Sequence, residues 1–379
     1  MLDAALTLTS FVCSLSATHR SSSMRRAITQ ARRSLTAPSR SLAVKRTAAI
    51  LPARSTLSRH SFSTRPPLSM SAAAATPAAA SAFSGKPADI WDPTQYLLFD
   101  EIRARPGSEL VSRIQQTLAT WKLPAPRHIV DLGCGPGKQV LLLARSFPDA
   151  ISLTGIDSSD NMVAVASKAR DALADENLRA KVQFKRDSFE GFKAPQEGVD
   201  LLYSNAALHW AGWEAHAALF PHLVSQVASS GGILAVQMPN NFKEPSHLCM
   251  KDALQAGSFF PSEEQLDAVW AKQPSVHARG AAYYFELLQP LCRSVDAWQV
   301  EYQQIISAPP GSPYHPVLEW TKSTALAPVL AALPNDAERT RFQQIYSEML
   351  EKAYPYFTSH SGQKQVRFPF KRIFLVAVR

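Results

Sequence analysis

The sequence of 379 residues has few cysteines and no long apolar run. Its four cysteines, Cys13, Cys134, Cys249 and Cys292, have neither paired spacing nor the spacing of a metal site. This usage suits a reducing compartment, and the absence of a His/Cys cluster argues against zinc or another bound metal. No stretch of eighteen apolar residues occurs, so no membrane-spanning helix is expected.

Acidic residues are almost absent from the first part of the chain. Residues 1–86 contain twelve lysines and arginines but a single acid, Asp3, whereas the rest of the chain has 28 basic and 30 acidic residues. The formal charge of +9 therefore belongs to the N-terminal segment. The nearly neutral remainder argues against a nucleic-acid partner.

The composition of the N-terminal segment indicates targeting rather than folding. Residues 1–66 are rich in Arg, Ser and Ala, which is typical of a disordered mitochondrial targeting segment; a basic tail of another purpose is the alternative. Residues 67–88 are predicted to be a low-complexity linker. We therefore expect a protein of the mitochondrial matrix, with a second, cytosolic form if translation begins at Met24 or Met70.

The most informative stretch of the chain runs from His128 to Asp157. His128–Leu132 predicts a buried parallel strand, GCGPG at 133–137 a tight turn, and Ile151–Ile156 a second strand after a helix. In such a unit, glycines at the carboxyl end of the first strand let a ligand approach the backbone. An acid about 20 positions further on, here Asp157, can bind ribose hydroxyls. The unit is predicted to bind a nucleoside.

The spacing of the glycines excludes two common nucleotide motifs. Lys138 occupies the third glycine position of the dinucleotide fingerprint, and a P-loop needs four residues between its glycines followed by Gly-Lys-Ser/Thr. Asp131, two residues before the first glycine, suits an ammonium group better than a pyrophosphate. A ligand with an adenosine end and an amino-acid end, such as S-adenosylmethionine, fits both observations. A tight turn without a ligand is the alternative.

Strand and helix patterns alternate through residues 89–241 and predict an α/β fold with a doubly wound, mostly parallel sheet. The first helix is predicted from Ser108 to Trp121. Residues 242–356 have mostly helical patterns and predict a lid inserted before the last strands. Residues 357–379 contain two strand-like runs joined near Pro369, which predict an antiparallel hairpin that completes a seven-stranded, Rossmann-like sheet.

Several stretches together resemble one family. VDLGCGPG and GIDSSDNM are similar to class I S-adenosylmethionine-dependent methyltransferases, and WDPTQYLLFDEIRARP, SNAALHW and GGILAVQMPNN resemble the trans-aconitate methyltransferases among them. The resemblance runs from about Trp91 to Arg379. It implies an enzyme that forms a methyl ester on trans-aconitate or a related small di- or tricarboxylic acid. A monomer is expected. Methylation of another small acceptor, such as isopropylmalate or a quinone precursor, and a non-catalytic assembly factor of the same fold stay open.

The resemblance also implies a cofactor site at particular positions of this sequence. Asp131, Gly133 and Gly135 would surround the methionine end of S-adenosylmethionine. Asp157 would bind the ribose, and Met162 would pack on the adenine. The residues implied to bind the cofactor are Tyr96, Asp131, Gly133, Gly135, Asp157, Ser158, Met162, Asp187, Ser188 and Asn205.

Candidate residues for the acceptor side come from the turn after the fourth predicted strand, Val199–Ser204, from the predicted lid and from the C-terminal strands. His209 and Trp210 follow that strand, and His209 would either donate a hydrogen bond to a carboxylate or cap a helix. Arg279 would hold a carboxylate through its planar guanidinium. Lys371 or Arg372 could do the same. The predicted catalytic set is His209, Trp210, Arg279 and Tyr284.

Overall fold

The computed structural model of the protein describes residues 99–271, 273 and 279–379. The predicted targeting segment 1–66, the linker 67–88 and Tyr96 lie outside these residues. The described residues all belong to one unit, which spans Thr76–Arg379. No helix in this part of the chain is both long and apolar enough to cross a membrane.

The described residues form eight strands in a single sheet. The strands are β1 (His128–Leu132), β2 (Ser152–Asp157), β3 (Val182–Arg186), β4 (Leu201–Asn205), β5 (Ile233–Pro239), β6 (Ser294–Ile306), β7 (Tyr356–Thr358) and β8 (Lys364–Val378). Seven lie side by side in the order β3-β2-β1-β4-β5-β8-β6, and β7 pairs with the beginning of β8. Strands β1 to β5 are parallel, β8 is antiparallel to β5, and β6 is antiparallel to β8.

Eleven α-helices accompany the sheet in the described part of the chain. They are α1 (Asp100–Trp121), α2 (Lys138–Ser146), α3 (Asp160–Asp171), α4 (Glu176–Lys181), α5 (Trp213–Gln226), α6 (Pro245–Ala256), α7 (Glu263–Trp270), α8 (Ala281–Leu288), α9 (Pro316–Lys322), α10 (Leu326–Ala332) and α11 (Asp336–Ala353). Polar side chains fix several starting points. At α3, for example, the Ser159 hydroxyl accepts a hydrogen bond from the Met162 N–H at 3.3 Å.

Helices cover both faces of the sheet. Alternate residues of a strand point to opposite faces. Leu202 and Leu234 accordingly pack with α5 and α8, whereas Tyr203 and Ala235 pack with α1 and α2. This arrangement confirms the predicted doubly wound α/β fold.

Five other helices form a third hydrophobic cluster, here called the lid cluster. Helices α6, α7, α9, α10 and α11 contribute to it, with Trp320, Phe342 and Tyr346 among its largest side chains. Phe99, just before α1, and Phe370, in the first half of β8, pack into the same cluster. Because α1 and β8 also pack in the sheet layers, they connect the lid cluster to the sheet.

Two details of the predicted architecture are wrong. The segment 242–356 contains the 13-residue strand β6, so the lid helices fall into one group before it and one group after it. The two runs predicted to meet near Pro369 form one continuous 15-residue strand, β8, whose antiparallel neighbours are β5 and β6. Strand β5 ends at Pro239, opposite Arg372, so Pro369 pairs on the β6 side, with Gln303. A residue without an N–H is tolerated where one side of a strand has no partner.

Helix α1 begins eight residues before the predicted start at Ser108. A proline inside a helix removes one backbone hydrogen bond, so Pro106 would be expected to lie outside α1 or at its start. In the structure Pro106 is buried inside α1 and the helix continues through it. The additional turns carry Arg103, which matters for the site described below.

Candidate active site

The polar residues predicted on the cofactor side follow four adjacent strands. Asp131 lies in β1, Asp157 ends β2, Asp187 follows β3 and Asn205 ends β4. Because these strands are parallel, their carboxyl ends meet at one edge of the sheet, where open α/β sheets bind ligands. The backbone N–H of Asp187 also donates to the Asp157 carbonyl at 3.1 Å. The structure therefore brings these predicted residues together.

Asp131 is a buried acid whose carboxylate has no hydrogen-bond partner among the described residues. The residue is 2% exposed, and both of its carboxylate oxygens are buried. Burial, and then the charge of Asp157, raise the pKa of Asp131 well above its usual range. Because an isolated buried charge is costly, such a carboxyl is a good binding position for a cationic group such as a ligand ammonium.

The two glycines predicted to border the cofactor differ in the space that a side chain would have at each position. Gly133 has a φ of +72° and Gly135 a φ of +53°, both in the left-handed region. A Cβ on Gly133 would lie 2.1 Å from the Cβ of Ala207, so close packing against the chain after β4 excludes a side chain there. A Cβ on Gly135 would meet no described atom within 4 Å. The backbone of Gly135 is therefore the part of the turn that a ligand can approach closely.

Asp157 fixes the glycine turn as well as facing the ligand side. Its Oδ2 accepts from the Gly135 N–H and its Oδ1 from the Ser159 N–H, each at 2.9 Å. Burial raises the pKa of Asp157, while these backbone hydrogen bonds oppose the change. Each carboxylate oxygen has a further lone pair, so Asp157 can accept ribose hydroxyls while it holds the turn. Asp131, Gly133, Gly135 and Asp157 are here called the cofactor shelf.

The other predicted cofactor residues lie around this shelf. Ser158 is exposed just after Asp157, and Met162 is buried in the first turn of α3. Asp187 is exposed, and its Oδ1 accepts from the Ser188 N–H at 2.8 Å. The half-buried Asn205 has a side-chain oxygen without a described partner. The part of these residues in binding the cofactor stays a prediction.

A cleft that is open to solvent lies beside the cofactor shelf and is here called the acceptor cleft. The two regions share the chain after β4, because Asn205 and Ala206 line the cleft and the next residue, Ala207, packs against Gly133. The cleft is also lined by α1, α6, α9 and β8. Its basic and amide side chains are Arg103, Asn205, His209, Asn241, His247 and Arg372.

Arg103 enters the cleft from α1 and is held by the lid cluster. It is 8% exposed, and its Nη2 donates to the Trp320 carbonyl at 3.0 Å and to the Ser323 hydroxyl at 3.3 Å. Its guanidinium carbon lies 4.8 Å from the centre of the Trp320 ring. A guanidinium stacked in this way can still donate through N–H groups in its plane.

Arg372 enters the same cleft from β8. It is 4% exposed, and its Nη1 donates to the Gln237 side-chain oxygen at 3.1 Å. Its guanidinium carbon lies 4.6 Å from the centre of the Phe370 ring, which in turn lies 5.6 Å from the Trp320 ring. The two arginines are thus connected by a pair of aromatic rings. Two cationic groups in a buried site of low dielectric attract anions strongly.

Two histidines complete the polar lining of the cleft. Burial lowers the pKa of His247 to about 4, so its ring is neutral at physiological pH. His209 is 7% exposed, with its ring centre 5.5 Å from that of Trp210. The structure places His209 and Trp210 at the cleft, as the sequence indicated, and their catalytic role stays a prediction.

The other two members of the predicted catalytic set do not line the cleft. Tyr284 is 1% exposed in the core between α5 and α8, where its hydroxyl lies 2.8 Å from Nδ1 of His216. Arg279 precedes α8, and its guanidinium lies 5.2 Å from the centre of the Tyr283 ring. The prediction for Tyr284 is wrong because α8 packs on α5 and the sheet rather than over the strand ends.

The structure also distinguishes the two basic candidates on β8. Successive side chains of a strand point to opposite faces. Lys371 faces away from the cleft and forms an ion pair with Glu244 at 2.5 Å, whereas Arg372 faces the cleft.

Sequence reasoning did not find Arg103. A signal was present, because Phe99, Arg103, Pro106 and Leu110 follow the spacing of one helical face and the other three are buried apolar residues. An arginine on such a face indicates an internal role. The predicted helix started at Ser108 and so left Arg103 outside it. Asn241, between β5 and α6, and His247, in the first turn of α6, had no comparable signal.

Comparison with known proteins gives a consistent result. The family described as "Methyltransferase domain" matches residues 129–232. The trans-aconitate 2-methyltransferase of Paracidovorax citrulli (strain AAC00-1) is 38% identical over 290 residues, which cover 76% of this chain and 98% of that protein. The trans-aconitate 2-methyltransferase of Yersinia pestis (strain Pestoides F) is 36% identical over 293 residues, which cover 76% and 97%.

Likeness to solved structures is weaker. Magnesium protoporphyrin IX methyltransferase from Synechocystis PCC 6803, solved with bound SAH, is 16% identical, with 74% of this chain and 87% of that chain covered and a TM-score of 0.37. The identity to the two trans-aconitate 2-methyltransferases, by contrast, extends over almost the whole length of those proteins. On these grounds the chain belongs to the trans-aconitate 2-methyltransferases, a family of class I S-adenosylmethionine-dependent methyltransferases.

Proposed function

We propose that the protein forms a methyl ester on trans-aconitate or on a related small di- or tricarboxylic acid. The observation that carries this proposal is the presence of two buried arginines, Arg103 and Arg372, in the cleft beside the cofactor shelf. Planar guanidiniums bind carboxylates through paired, charge-assisted hydrogen bonds. An acceptor with several carboxylates matches a cleft with two such groups, and the two relatives described above are named for trans-aconitate.

S-adenosylmethionine, when bound, supplies a methyl group that its sulfonium centre has already activated. Asp131 would hold the ammonium end of this cofactor and Asp157 the ribose. A carboxylate acceptor is ionised at neutral pH and needs no general base. The tasks left to the protein are to orient one acceptor oxygen towards the methyl group and to exclude water.

The cleft offers donors for more than one carboxylate. Arg103 and Arg372 would each bind one. The side-chain nitrogen of Asn241 is buried without a described partner, while its oxygen accepts from the Lys371 N–H at 2.7 Å. Asn241 would therefore add a neutral donor. His209, on the turn after Asn205, would donate to the carboxylate that reacts.

An assay with a panel of acids tests the proposal. The full chain is incubated with S-adenosylmethionine and with trans-aconitate, isopropylmalate, a monocarboxylic acid of similar size, a quinone precursor or a mitochondrial extract. The methylated product is detected by its additional methylene mass. We expect trans-aconitate to react faster than isopropylmalate and the monocarboxylic acid not to react. Preference for isopropylmalate or for a quinone precursor would identify another acceptor. Cofactor binding without methylation of any acid, or of any component of a mitochondrial extract, would favour a non-catalytic role.

We also propose that the protein is a monomer of the mitochondrial matrix. The support for this location is the basic, acid-poor composition of residues 1–66. Fusion of the full chain, and of a chain without residues 1–66, to a fluorescent protein tests the location. The full chain should enter mitochondria, while the shortened chain should stay in the cytosol and keep its activity. Import of the shortened chain, or its inactivity, would contradict the targeting role. Light scattering of the purified protein tests the monomer.

A further inference from the structure

A buried histidine outside the cleft contacts the turn that carries His209 and Trp210. His216 of α5 is 1% exposed, and its Nε2 lies 3.0 Å from the carbonyl oxygen of Leu208, the first residue of the 3₁₀ turn Leu208–Trp210. Its Nδ1 lies 2.8 Å from the hydroxyl of Tyr284. Since a carbonyl oxygen can only accept, Nε2 carries the hydrogen and Nδ1 accepts from the tyrosine. Tyr284, His216 and the Leu208 carbonyl form a directed chain of hydrogen bonds.

The turn itself has a backbone that needs such support. The Leu208 carbonyl already accepts from the Ala211 N–H at 3.1 Å, which closes the turn. Shortly before the turn, Ala206 has a φ of +56°, a left-handed conformation that residues other than glycine rarely adopt. Such conformations persist when the surrounding structure holds them in place. The Ala206 N–H donates to the Gln237 carbonyl at 2.8 Å, and the bond from His216 holds the Leu208 carbonyl two residues later.

Packing alone does not explain the histidine and the tyrosine. The Phe220 ring lies 5.2 Å from the His216 ring and 4.9 Å from the Tyr284 ring, so both polar residues sit against an aromatic core. Burial lowers the pKa of His216 and raises that of Tyr284, which keeps both neutral. Burying two polar groups is unfavourable unless their hydrogen bonds are made. Here those bonds are directed to the turn beside the cleft.

We propose that His216 and Tyr284 are positioning residues, which hold the Leu208–Trp210 turn so that His209 and Trp210 face the acceptor. The inference rests on the proposed function, because it gives His209 a role towards the acceptor carboxylate. Neither positioning residue lines the cleft.

Two substitutions of His216 separate positioning from packing. His216→Phe preserves an aromatic ring against Phe220 and removes both hydrogen bonds, whereas His216→Gln preserves a donor and an acceptor but loses the ring. If His216 positions the turn, the glutamine variant keeps more activity than the phenylalanine variant, and kcat differs by roughly tenfold between them. The dissociation constant of S-adenosylmethionine should be equal in both. A phenylalanine variant that is folded and at least as active as the glutamine variant would overturn the proposal.

A substitution of the tyrosine has a matched control in the next residue. Tyr284→Phe removes only the hydroxyl that donates to His216, and it should lower kcat by roughly threefold without changing cofactor affinity. Tyr283→Phe removes the hydroxyl of the neighbouring half-buried tyrosine. This hydroxyl is not part of the hydrogen-bond chain from Tyr284 to Leu208, so kcat should stay unchanged. Equal kcat values in the two variants would contradict the proposal.

The positioning effect can also be measured without turnover. In protein labelled at its histidine rings, the NMR signal of His209 should shift in Tyr284→Phe and not in Tyr283→Phe. If the wild-type protein methylates no acid, the proposed function fails while this measurement still decides the positioning role. An unchanged His209 signal in Tyr284→Phe would overturn that role even if the enzyme is active.

Discussion

The cofactor shelf and the acceptor cleft meet at the chain after β4, but they are assembled in different ways. The acids and glycines of the shelf lie between Asp131 and Asp157, within one strand–helix–strand unit. The two arginines of the cleft, Arg103 and Arg372, come from the first helix and the last strand of the described chain. Donor binding is therefore a local property of the sequence, whereas acceptor binding arises from the packing of distant segments.

The two regions also differ in charge. The shelf contains two carboxyls whose pKa values are raised by burial, and the cleft contains two buried guanidiniums and no acidic side chain among its described lining residues. A cationic methyl donor and an anionic acceptor are thus each matched by groups of opposite charge. Substitutions in one region should accordingly affect one substrate and spare the other.

The largest effect is expected for Arg372→Gln. Loss of a buried, charge-assisted contact should lower kcat/KM for the acid by about 100-fold or more, equivalent to roughly 3 kcal/mol. Cofactor affinity, measured by calorimetry, should stay unchanged. Lys371→Gln is the matched control, because it removes the neighbouring charge, which is paired with Glu244 outside the cleft. A parallel loss of cofactor affinity in Arg372→Gln would show that the two regions are not independent.

The next largest effect is expected for Asp157→Ala. Removal of the ribose contact, together with the bonds to Gly135 and Ser159, should weaken cofactor binding more than tenfold, or by on the order of 1.4 kcal/mol. Asp160→Ala is a suitable control, since this exposed acid pairs with Arg186 at 3.3 Å. Unchanged cofactor affinity in Asp157→Ala would remove this residue from the site.

A smaller effect is expected from pH. Only the ionised form of Asp131 can hold the cofactor ammonium, and burial places its pKa well above the usual carboxyl range. Cofactor affinity should therefore fall several-fold as the pH decreases through this raised pKa, and calorimetry across a pH series measures the change. Asp131→Asn should bind weakly at every pH. A wild-type affinity that does not vary with pH would contradict the role of Asp131.

The smallest effect is expected for Arg279→Ala. Because Arg279 lies at the start of α8 beside Tyr283 rather than in the cleft, kcat and KM for the acid should stay within about twofold of the wild-type values. Initial-rate measurements at varied acid concentration test this. A large increase in KM would bring α8 into the acceptor site and change the description of the cleft.

The contrast between the two regions explains how much the sequence alone could predict. The five parallel strands and the cofactor shelf were predictable, because apolar runs that end in glycine or an acid are patterns of consecutive residues. Strand β6 was not recognised because it lies among segments with helical patterns. Strand β8 was not recognised as one unbroken strand because it contains Pro369. Pairing with each other stabilises them, and such long-range pairing leaves little trace in the local sequence.

The acceptor side was predicted only in part, for a related reason. His209 and Trp210 were found because they follow a strand end. Tyr284 was predicted to lie in the cleft, because the sequence of α8 does not indicate on which face of the sheet this helix packs. Arg103 was missed because a proline inside a helix is rarer than a proline at its boundary.

The aromatic bridge between the two cleft arginines has a consequence for selectivity. Arg103 is bonded to Trp320 in the lid cluster, whereas the backbone of Arg372 is paired on both sides, with Pro239 of β5 and Val300 of β6. The position of the Arg103 guanidinium thus depends on the lid helices, while that of Arg372 depends on the sheet. If each guanidinium binds one carboxylate of the acceptor, as proposed above, the contact between the Trp320 and Phe370 rings determines how far apart the two bound carboxylates lie.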